Sequence, residues 1–239
     1  MSPHVFPRLD RFRTVEAWIF DLDNTLYPAE CDLFSQIDAR IGAFLQDMLK
    51  LDATAARVVQ KDYYRRYGTT LRGLMIEHGL PPEAFLDYVH DIDHSPLSPA
   101  PRLAEALKAL PGRRFIMTNG SQRHAERVCE RLGLDGLFDD IFDIAAAGHL
   151  PKPEAEAYDL FWARSAIRPA EAAMFEDLPR NLKVPHQHGM STVLVVPRDT
   201  AAVVRENWEH EGRDDPHVDH VTDDLARFLG AVVRAIAPR

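Results

Sequence analysis

The sequence is poor in cysteine and contains no long apolar run. Only Cys31 and Cys129 occur among its 239 residues, far apart and outside any Cys-x-x-Cys spacing. This excludes a disulfide framework and a cysteine-based zinc site, and we interpret both as reduced, structural thiols. No apolar run approaches the length of a bilayer span, and the amino-terminal residues lack the apolar stretch of a signal peptide. A cytoplasmic protein with no membrane partner is therefore expected.

An excess of positive charge is also missing. The chain has 28 Lys and Arg against 37 Asp and Glu, for a formal net charge of -9. Because the phosphate backbone of nucleic acids binds basic surfaces, no nucleic-acid partner is expected. Small anionic molecules can still bind where a few local cations or a metal ion are present. The content of 46% hydrophobic and 27% charged residues is typical of a globular protein with a buried core.

Short apolar runs alternate with helical patterns over most of the chain. Strands are predicted at 15–20, 115–117, 141–144, 173–175 and 192–196, with an edge strand at 217–221. Helices are predicted at 102–110, 121–132, 154–166, 178–186 and 223–236, and the charged stretch 206–215 is expected to be a loop. Strands that alternate with helices predict an α/β protein with a parallel sheet flanked by helices.

One segment interrupts this alternation. Between about residues 30 and 95 the apolar residues recur every three or four positions, in patterns at 33–48, 58–67 and 81–89, with no strand candidate. A proline-rich hinge at 95–101 follows. We therefore predict a core domain formed by residues 1–29 and 96–239, and a small all-helical cap domain, residues 30–95, inserted after the first strand.

Polar groups follow three of the predicted strands at the point where each strand ends. Asp21 and Asp23 follow the first strand, the Thr118-Asn119-Gly120 turn follows the second, and Glu176-Asp177 ends another. In parallel α/β sheets, ligands collect beyond the carboxyl ends of the strands, so these groups are expected to share one crevice. Carboxylates, a hydroxyl and an amide together favour a site for a divalent metal and a phosphoryl group.

Asp21 and Asp23 alternate around Leu22, so both carboxylates lie on one side if the chain stays extended. Two close carboxylates can divide phosphoryl transfer: one attacks phosphorus and the other moves protons. We predict Asp21 as the nucleophile, because it comes first after the strand, and Asp23 as the acid and base. Their repulsion is expected to raise one of the two pKa values, which suits proton transfer. The alternative is a solvated turn with helix-capping acids.

Two further groups are suited to binding an anion. Thr118, Asn119 and backbone N–H groups at a helix start can form a phosphate cradle, with Ser121 as N-cap. Lys152, between Pro151 and Pro153, can neutralise both the nucleophile and the phosphoryl charge. The alternatives are an ordinary strand-to-helix turn and a surface lysine.

The second acidic pair favours Mg²⁺. Glu176 and Asp177 supply hard oxygen ligands, and four acidic side chains in one crevice would repel one another without a cation. The alternative is two exposed acids at a helix N-terminus. The pairs His186 with His188 and His217 with His220 lack partners at metal-binding spacing, and we interpret them as helix-end and surface histidines.

Four elements in order resemble the motifs of the haloacid dehalogenase-like (HAD) superfamily: Asp21-Leu22-Asp23-Asn24-Thr25, Thr118-Asn119-Gly120, Pro151-Lys152-Pro153, and Glu176-Asp177 with Asn181. The resemblance implies a Rossmann-like core with a helical cap. It also implies that Asp21 is the nucleophile, Asp23 the acid and base, Thr118 a phosphate ligand and Lys152 the charge stabiliser. By the same resemblance Mg²⁺ would be held by Asp21, the Asp23 backbone carbonyl, Asp177, and Glu176 directly or through water.

Within the superfamily, the chain resembles the pyrimidine 5'-nucleotidase branch. The resemblance lies in Tyr27-Pro28 and in the stretches 67–74, 88–93 and 181–186. It implies a small phosphorylated metabolite as substrate, namely a pyrimidine nucleoside 5'-monophosphate such as UMP or CMP. Leu178-Pro179 departs from the small polar residues expected there.

Four side chains of the predicted cap are candidates for contacting the substrate and determining specificity. The alternative is that they only pack within the cap or lie on its solvated surface. The candidates are Tyr64, Tyr67, Arg72 and His90.

Other functions remain open at this point. A sugar-phosphate or phosphoglycolate phosphatase, or a mutase, would differ mainly in the cap. A 2-haloacid dehalogenase would resemble this chain but lack a second acid at the position of Asp23. A regulatory protein that keeps the fold without chemistry is the non-enzyme alternative. The oligomeric state, monomer or homodimer, stays undetermined.

Overall fold

A computed structural model of the chain describes residues 8–198 and 212–237. Its strands are β1 Ala17–Phe20, β2 Arg113–Met117, β3 Asp140–Phe142, β4 Ala172–Glu176, β5 Ser191–Val195 and β6 His220–Thr222. They form one sheet in the order β3-β2-β1-β4-β5-β6, with every neighbouring pair parallel. This is the strand order of a doubly wound, Rossmann-like fold, and it confirms the predicted α/β class.

Helices connect the strands and supply the helical segment. They are α1 Leu33–Leu49, α2 Ala53–Tyr67, α3 Thr70–His78, α4 Pro82–Val89, α5 Pro101–Lys108, α6 Gln122–Leu132, α7 Ala155–Ser165, α8 Lys183–Gln187 and α9 Leu225–Ile236. Short 3-10 turns lie at Leu9–Thr14, Ala29–Cys31, Pro169–Glu171 and Pro179–Leu182. No helix among these described residues is long and apolar enough to cross a membrane.

The sheet is buried on both faces, which explains the continuous apolar runs of its strands. Trp18 and Phe20 of β1 lie in one cluster, with side chains of α5, α6 and α9. Ala17 and Ile19 point the opposite way, into a second cluster with side chains of α7. All four residues of β1 are buried. The first strand is therefore held rigidly in the middle of the sheet.

Helices α1 to α4 pack around an apolar cluster of their own. Its buried residues include Ile37, Leu45, Leu74 and Phe85. The structure has four helices between residues 30 and 95, whereas the sequence pattern predicted three. The missed helix is α3, which begins at the Thr69 N-cap directly after the stop signal of Gly68. The segment is all-helical as predicted, and its division from the core at residues 30 and 95 stays a prediction.

Some predicted boundaries were wrong where side chains bond to the backbone. Strand β3 ends at Phe142 rather than residue 144, because Asp143 accepts hydrogen bonds from the N–H groups of Gln122 and Ala146 and turns the chain. The helix predicted at 178–186 is a 3-10 turn followed by the short α8. The edge strand predicted at 217–221 is observed as β6 at 220–222. Of the loop predicted at 206–215, residues 206–211 lie outside the described residues.

Both cysteines are free, as predicted.

Gly112 tests whether the close backbone contact between the starts of β1 and β2 requires glycine. It has φ of +80°, and a Cβ there would lie 2.2 Å from the Glu16 carbonyl oxygen, which accepts the Arg113 N–H at 2.9 Å. Gly133 has a similar φ of +70° but open space around it. We expect Gly133→Ala to cost about 1–2 kcal/mol of unfolding free energy from the left-handed conformation alone, and Gly112→Ala to cost at least about 2 kcal/mol more because backbone must move. Urea unfolding measures both, and equal losses would contradict the steric argument.

Candidate active site

The predicted site residues meet at the carboxyl edge of the sheet. Asp21, Thr118 and Asp177 directly follow β1, β2 and β4, which are neighbours in the sheet. Lys152 reaches the same edge from the loop between β3 and α7. The strand order reverses beside β1, which is where doubly wound sheets open a crevice. The predicted convergence is therefore observed.

Lys152 is the central contact of the site. Its Nζ donates to Asp21 Oδ1 at 2.7 Å, to Glu176 Oε1 at 2.8 Å and to the Met117 carbonyl oxygen at 2.7 Å. The residue is 2% exposed, so the predicted alternative of a surface lysine is wrong. Burial acts to lower the pKa of Lys152, but the charges of Asp21 and Glu176 outweigh it and raise that pKa. The ammonium group therefore remains charged at any physiological pH.

Asn119 holds the loop that carries Lys152. Its Oδ1 accepts the Lys152 N–H at 2.8 Å, and its Nδ2 donates to the Lys152 carbonyl oxygen at 3.2 Å. The side-chain amide thus bonds to backbone through both polar atoms. We predicted Asn119 as a phosphate ligand, and that role stays a prediction, since the observed contacts are with the lysine loop.

Thr118 begins the turn into α6. Its Oγ1 accepts the Gly120 N–H at 2.9 Å, and the residue is 4% exposed. A hydroxyl that accepts in this way keeps its own proton to donate. Ser121 is the N-cap of α6, as predicted, and accepts the His124 N–H. The turn has the donors that an anion cradle needs.

Three buried carboxylates form a group able to hold a metal ion. Asp21, Glu176 and Asp177 each place one oxygen within 4.8 Å of the others. Hard carboxylate oxygens are the ligands that Mg²⁺ prefers, so the donor set fits. Within residues 8–198 and 212–237 this is the single such group, and neither His186 with His188 nor His217 with His220 belongs to it. The interpretation of His220 as a surface histidine was wrong, because its side chain is buried.

Glu176 differs from the two aspartates because protein donors occupy both of its oxygens. Oε1 accepts from Lys152 and from Asn181 Nδ2 at 2.6 Å, and Oε2 accepts the Leu178 N–H at 2.8 Å. Burial acts to raise the pKa of Glu176, but Lys152 and these hydrogen bonds lower it below its usual value. Lys152 and these hydrogen bonds thus favour the charged form of Glu176, and metal ligation by Glu176 stays a prediction.

The two aspartates of the first motif have opposite pKa shifts. Burial raises the pKa of Asp21 to about 7. The charge of Lys152 acts to lower this pKa, and the charge of Glu176 acts to raise it further. Asp21 Oδ2 also accepts a hydrogen bond from Thr25 Oγ1 at 3.0 Å. One of the two pKa values is raised, as expected, but it belongs to the predicted nucleophile Asp21 rather than to the proton-transfer group Asp23, and burial rather than repulsion is its largest cause. A divalent cation at Asp21 would lower its pKa again.

Asp23 is held by two donors that the sequence did not reveal. Its Oδ1 accepts from Tyr27 Oη at 2.5 Å and from His124 Nε2 at 2.9 Å. Burial acts to raise the pKa of Asp23, but His124 and Tyr27 outweigh it and lower it to about 2. One signal was available: His124 lies on the buried stripe of α6 with Ala125 and Val128, where an apolar residue is usual.

The cap candidates contact the core at several points. The Arg180 guanidinium lies 5.0 Å from the centre of the Tyr64 ring, Arg72 pairs with Glu154 at 3.1 Å, and His90 bonds to Ser121 Oγ at 3.0 Å. Tyr67 donates to Glu77 within the helical segment. These contacts place three of the four candidates against the core, and their part in substrate choice stays a prediction.

The fold and the site define an α/β protein of the Rossmann-like class with an acidic, metal-competent site at the carboxyl edge of its sheet. The family described as haloacid dehalogenase-like hydrolase matches residues 15–189. The chain therefore belongs to the haloacid dehalogenase-like hydrolases, and the resemblance found in its motifs is confirmed at the level of the superfamily.

A yeast protein is similar to part of the chain. Phosphate metabolism protein 8 of Saccharomyces cerevisiae is 29% identical over 156 residues, which is 59% of this chain and 46% of the yeast protein. The match thus spans about half of that relative's length.

Solved structures share the fold at lower identity. The L-2-haloacid dehalogenase of Xanthobacter autotrophicus, with chloropropionic acid covalently bound, is 19% identical with a TM-score of 0.59, over 93% of this chain and 100% of the dehalogenase. CbbY of Rhodobacter sphaeroides in complex with phosphate is 16% identical with a TM-score of 0.57, over 90% of this chain and 96% of CbbY. YfnB of Bacillus subtilis, a putative HAD-hydrolase bound to magnesium, is 15% identical with a TM-score of 0.53, over 91% of this chain and 98% of YfnB.

The opposite pKa shifts of the two aspartates predict opposite effects on stability. The pKa of Asp21 is raised from 3.8 to about 7, so between about pH 4 and pH 7 the folded state retains a proton that the unfolded state has lost, and stability falls as pH rises. In chelator, Asp21→Asn should therefore unfold at a higher temperature than wild type at pH 8, by about 2–4 °C for each kcal/mol relieved. This advantage should shrink at pH 5.

Asp23→Asn is the matched control with the opposite sign. The pKa of Asp23 is lowered from 3.8 to about 2, so its contribution is present above about pH 4 and is lost as pH falls towards 2. This variant should be less stable than wild type by the same amount at pH 5 and pH 8. Thermal unfolding at the two pH values decides, and an Asp21→Asn advantage that does not grow with pH would contradict the assignment.

Proposed function

We propose that this chain is a magnesium-dependent phosphohydrolase that acts on small phosphomonoesters through an aspartyl-phosphate on Asp21. The observation that carries the proposal is the contact of the Lys152 ammonium with Asp21, beside the carboxylates of Glu176 and Asp177. A fixed cation next to a buried carboxylate favours the ionised form of the nucleophile and attracts the negative charge of a phosphoryl group.

The chemistry divides between Asp21 and Asp23. A carboxylate oxygen of Asp21 attacks phosphorus, the bond from phosphorus to the leaving oxygen breaks, and Asp23 gives that oxygen a proton. In the second step Asp23 takes a proton from water, the water oxygen attacks phosphorus, and the bond to Asp21 breaks to release phosphate. The dianionic phosphoryl group raises the pKa of Asp23 from its low value when it binds nearby, because like charge disfavours the ionised form.

The other side chains bind or neutralise charge. The Thr118 hydroxyl and backbone N–H groups at the start of α6 donate hydrogen bonds to the phosphoryl oxygens. Asp21 and Asp177, with the Asp23 carbonyl oxygen, would hold Mg²⁺, and Glu176 would reach it directly or through water. When bound, this ion neutralises charge on the phosphoryl oxygens and lowers the pKa of Asp21.

The comparisons support phosphoryl chemistry without deciding the substrate. The yeast relative is named for phosphate metabolism, CbbY was solved with phosphate, and YfnB with magnesium. Dehalogenases share the fold equally well, so the residues of the site must distinguish a phosphatase from a dehalogenase. Asp23 with its two donors, and an acidic cluster of three carboxylates, favour a phosphatase because a dehalogenase needs neither the metal nor the second acid.

The expected substrates are pyrimidine nucleoside 5'-monophosphates, UMP and CMP. This expectation rests on the resemblance of residues 67–74, 88–93 and 181–186 to the pyrimidine 5'-nucleotidase branch. Tyr64 beside Arg180 is suited to stacking on a base from the helical segment. Sugar phosphates and phosphoglycolate are the competing substrates.

Metal dependence is tested by the Asp177→Asn variant. Loss of one carboxylate ligand should raise the Mg²⁺ concentration needed for half-maximal hydrolysis of p-nitrophenyl phosphate by about 100-fold. Asp143→Asn is the matched control, since Asp143 also follows a strand at this edge but bonds to the N–H groups of Gln122 and Ala146. Equal Mg²⁺ requirements in the two variants, or hydrolysis that survives chelator in the wild type, would sink the metal assignment.

A substrate screen separates the enzyme classes. Wild type should hydrolyse UMP or CMP faster than sugar phosphates, and Asp21→Asn should abolish turnover of every phosphomonoester while the protein stays folded. Release of halide from 2-chloropropionate without metal would establish a dehalogenase instead. A folded wild type that turns over no substrate would favour the regulatory binding protein.

A further inference from the structure

We propose that His124 is a positioning residue that holds Asp23 Oδ1, so that the other carboxylate oxygen, Oδ2, carries the proton during the reaction. The inference rests on the proposed function and deepens it, because the orientation of Asp23 matters only if Asp23 transfers a proton.

The hydrogen bonds of Asp23 are asymmetric. Tyr27 Oη and His124 Nε2 both donate to Oδ1, at 2.5 Å and 2.9 Å. Over residues 8–198 and 212–237, no protein donor bonds to Oδ2. An oxygen that already accepts two hydrogen bonds is a poor place for a further proton. The proton that Asp23 moves therefore belongs on Oδ2, and its direction is decided by what holds Oδ1.

His124 is itself held from two sides. The residue is completely buried, and its Nδ1 lies 3.4 Å from His94 Nε2. The ring of His90 stacks on it with centroids 4.6 Å apart and planes 11° from parallel. Because both His90 and His94 belong to the end of the helical segment, the imidazole that orients Asp23 touches the predicted cap as well as the core. An apolar side chain would fill the same stripe of α6 but would donate nothing to Asp23.

A positioning role makes a prediction that a packing role does not. The oxygen that leaves an alkyl phosphate must be protonated as it departs, whereas p-nitrophenolate leaves without a proton. The value of kcat/KM reports the steps up to departure of the leaving group. Misorientation of Asp23 should thus slow alkyl substrates selectively, while a general loss of packing should slow both kinds.

The experiment compares 2-glycerophosphate with p-nitrophenyl phosphate in the full chain with saturating Mg²⁺. His124→Leu should lower kcat/KM by about 100-fold for 2-glycerophosphate and by less than about 5-fold for p-nitrophenyl phosphate. His124→Gln keeps an N–H donor on a side chain of similar reach and should recover most of the selective loss. Asp23→Asn should show the same selectivity, and the double variant Asp23→Asn with His124→Leu should be no slower than Asp23→Asn alone.

His220→Leu is the control for losing a buried histidine. His220 is 6% exposed and its ring packs between Phe12 and Phe228, far from Asp23 in the sheet order. This variant should leave the ratio of the two kcat/KM values unchanged. If His124→Leu does not fold, Tyr27→Phe removes the other Oδ1 donor with little change in shape, and it should show the same preference for the p-nitrophenyl substrate.

The outcomes separate the two proposals. Equal losses on both substrates in His124→Leu or Tyr27→Phe, or losses that add to those of Asp23→Asn, overturn the positioning role while phosphatase activity stands. A folded wild type that hydrolyses neither substrate overturns the proposed function, and the positioning role with it.

Discussion

The buried ammonium group of Lys152 is the contact on which the site depends. Its three hydrogen bonds end on Asp21, Glu176 and the Met117 carbonyl oxygen, and the side chain is buried. Without this cation, Asp21 and Glu176 would be buried carboxylates without their ammonium partner at the carboxyl edge of the sheet, an arrangement that is strongly unfavourable. The same ion pair that stabilises this acidic edge also places a positive charge beside Asp21, the proposed nucleophile.

The acidic group beside Lys152 is also suited to a divalent cation. Asp21, Glu176 and Asp177 are buried with carboxylate oxygens close together, and burial, with the charge of Glu176 added, raises the pKa of Asp21 despite Lys152. A divalent cation at these oxygens would favour the ionised form of Asp21, so the donor set and the pKa shift both support the proposed metal. Asp23 is bonded instead to His124 and Tyr27, so the two aspartates of one short motif have different chemical environments.

Much of the fold was predictable because its causes are local. Buried strands read as continuous apolar runs, amphipathic helices as three- and four-residue spacing, and the parallel sheet as their alternation. One error lies where a side chain bonds to distant backbone, and another where two helices adjoin. Asp143 ends β3 early through Gln122, and α3 was missed because its Thr69 N-cap follows so closely on the glycine that ends α2. Within the site, Asp21, Thr118, Lys152 and Asp177 were all found from their positions after strands, since parallel topology brings such positions together.

The α/β class, the helical segment after the first strand and the set of groups at the carboxyl edge could be predicted from the amino-acid sequence, because each depends on periodicity or on position relative to a strand. The bonding partners of those groups follow only from the three-dimensional fold. Asn119 bonds to the backbone of Lys152, Glu176 bonds to Lys152 and Asn181, and Asp23 bonds to a histidine 101 positions away. These pairings set the charge and direction of every side chain in the site, and they depend on three-dimensional distances that no spacing along the chain encodes.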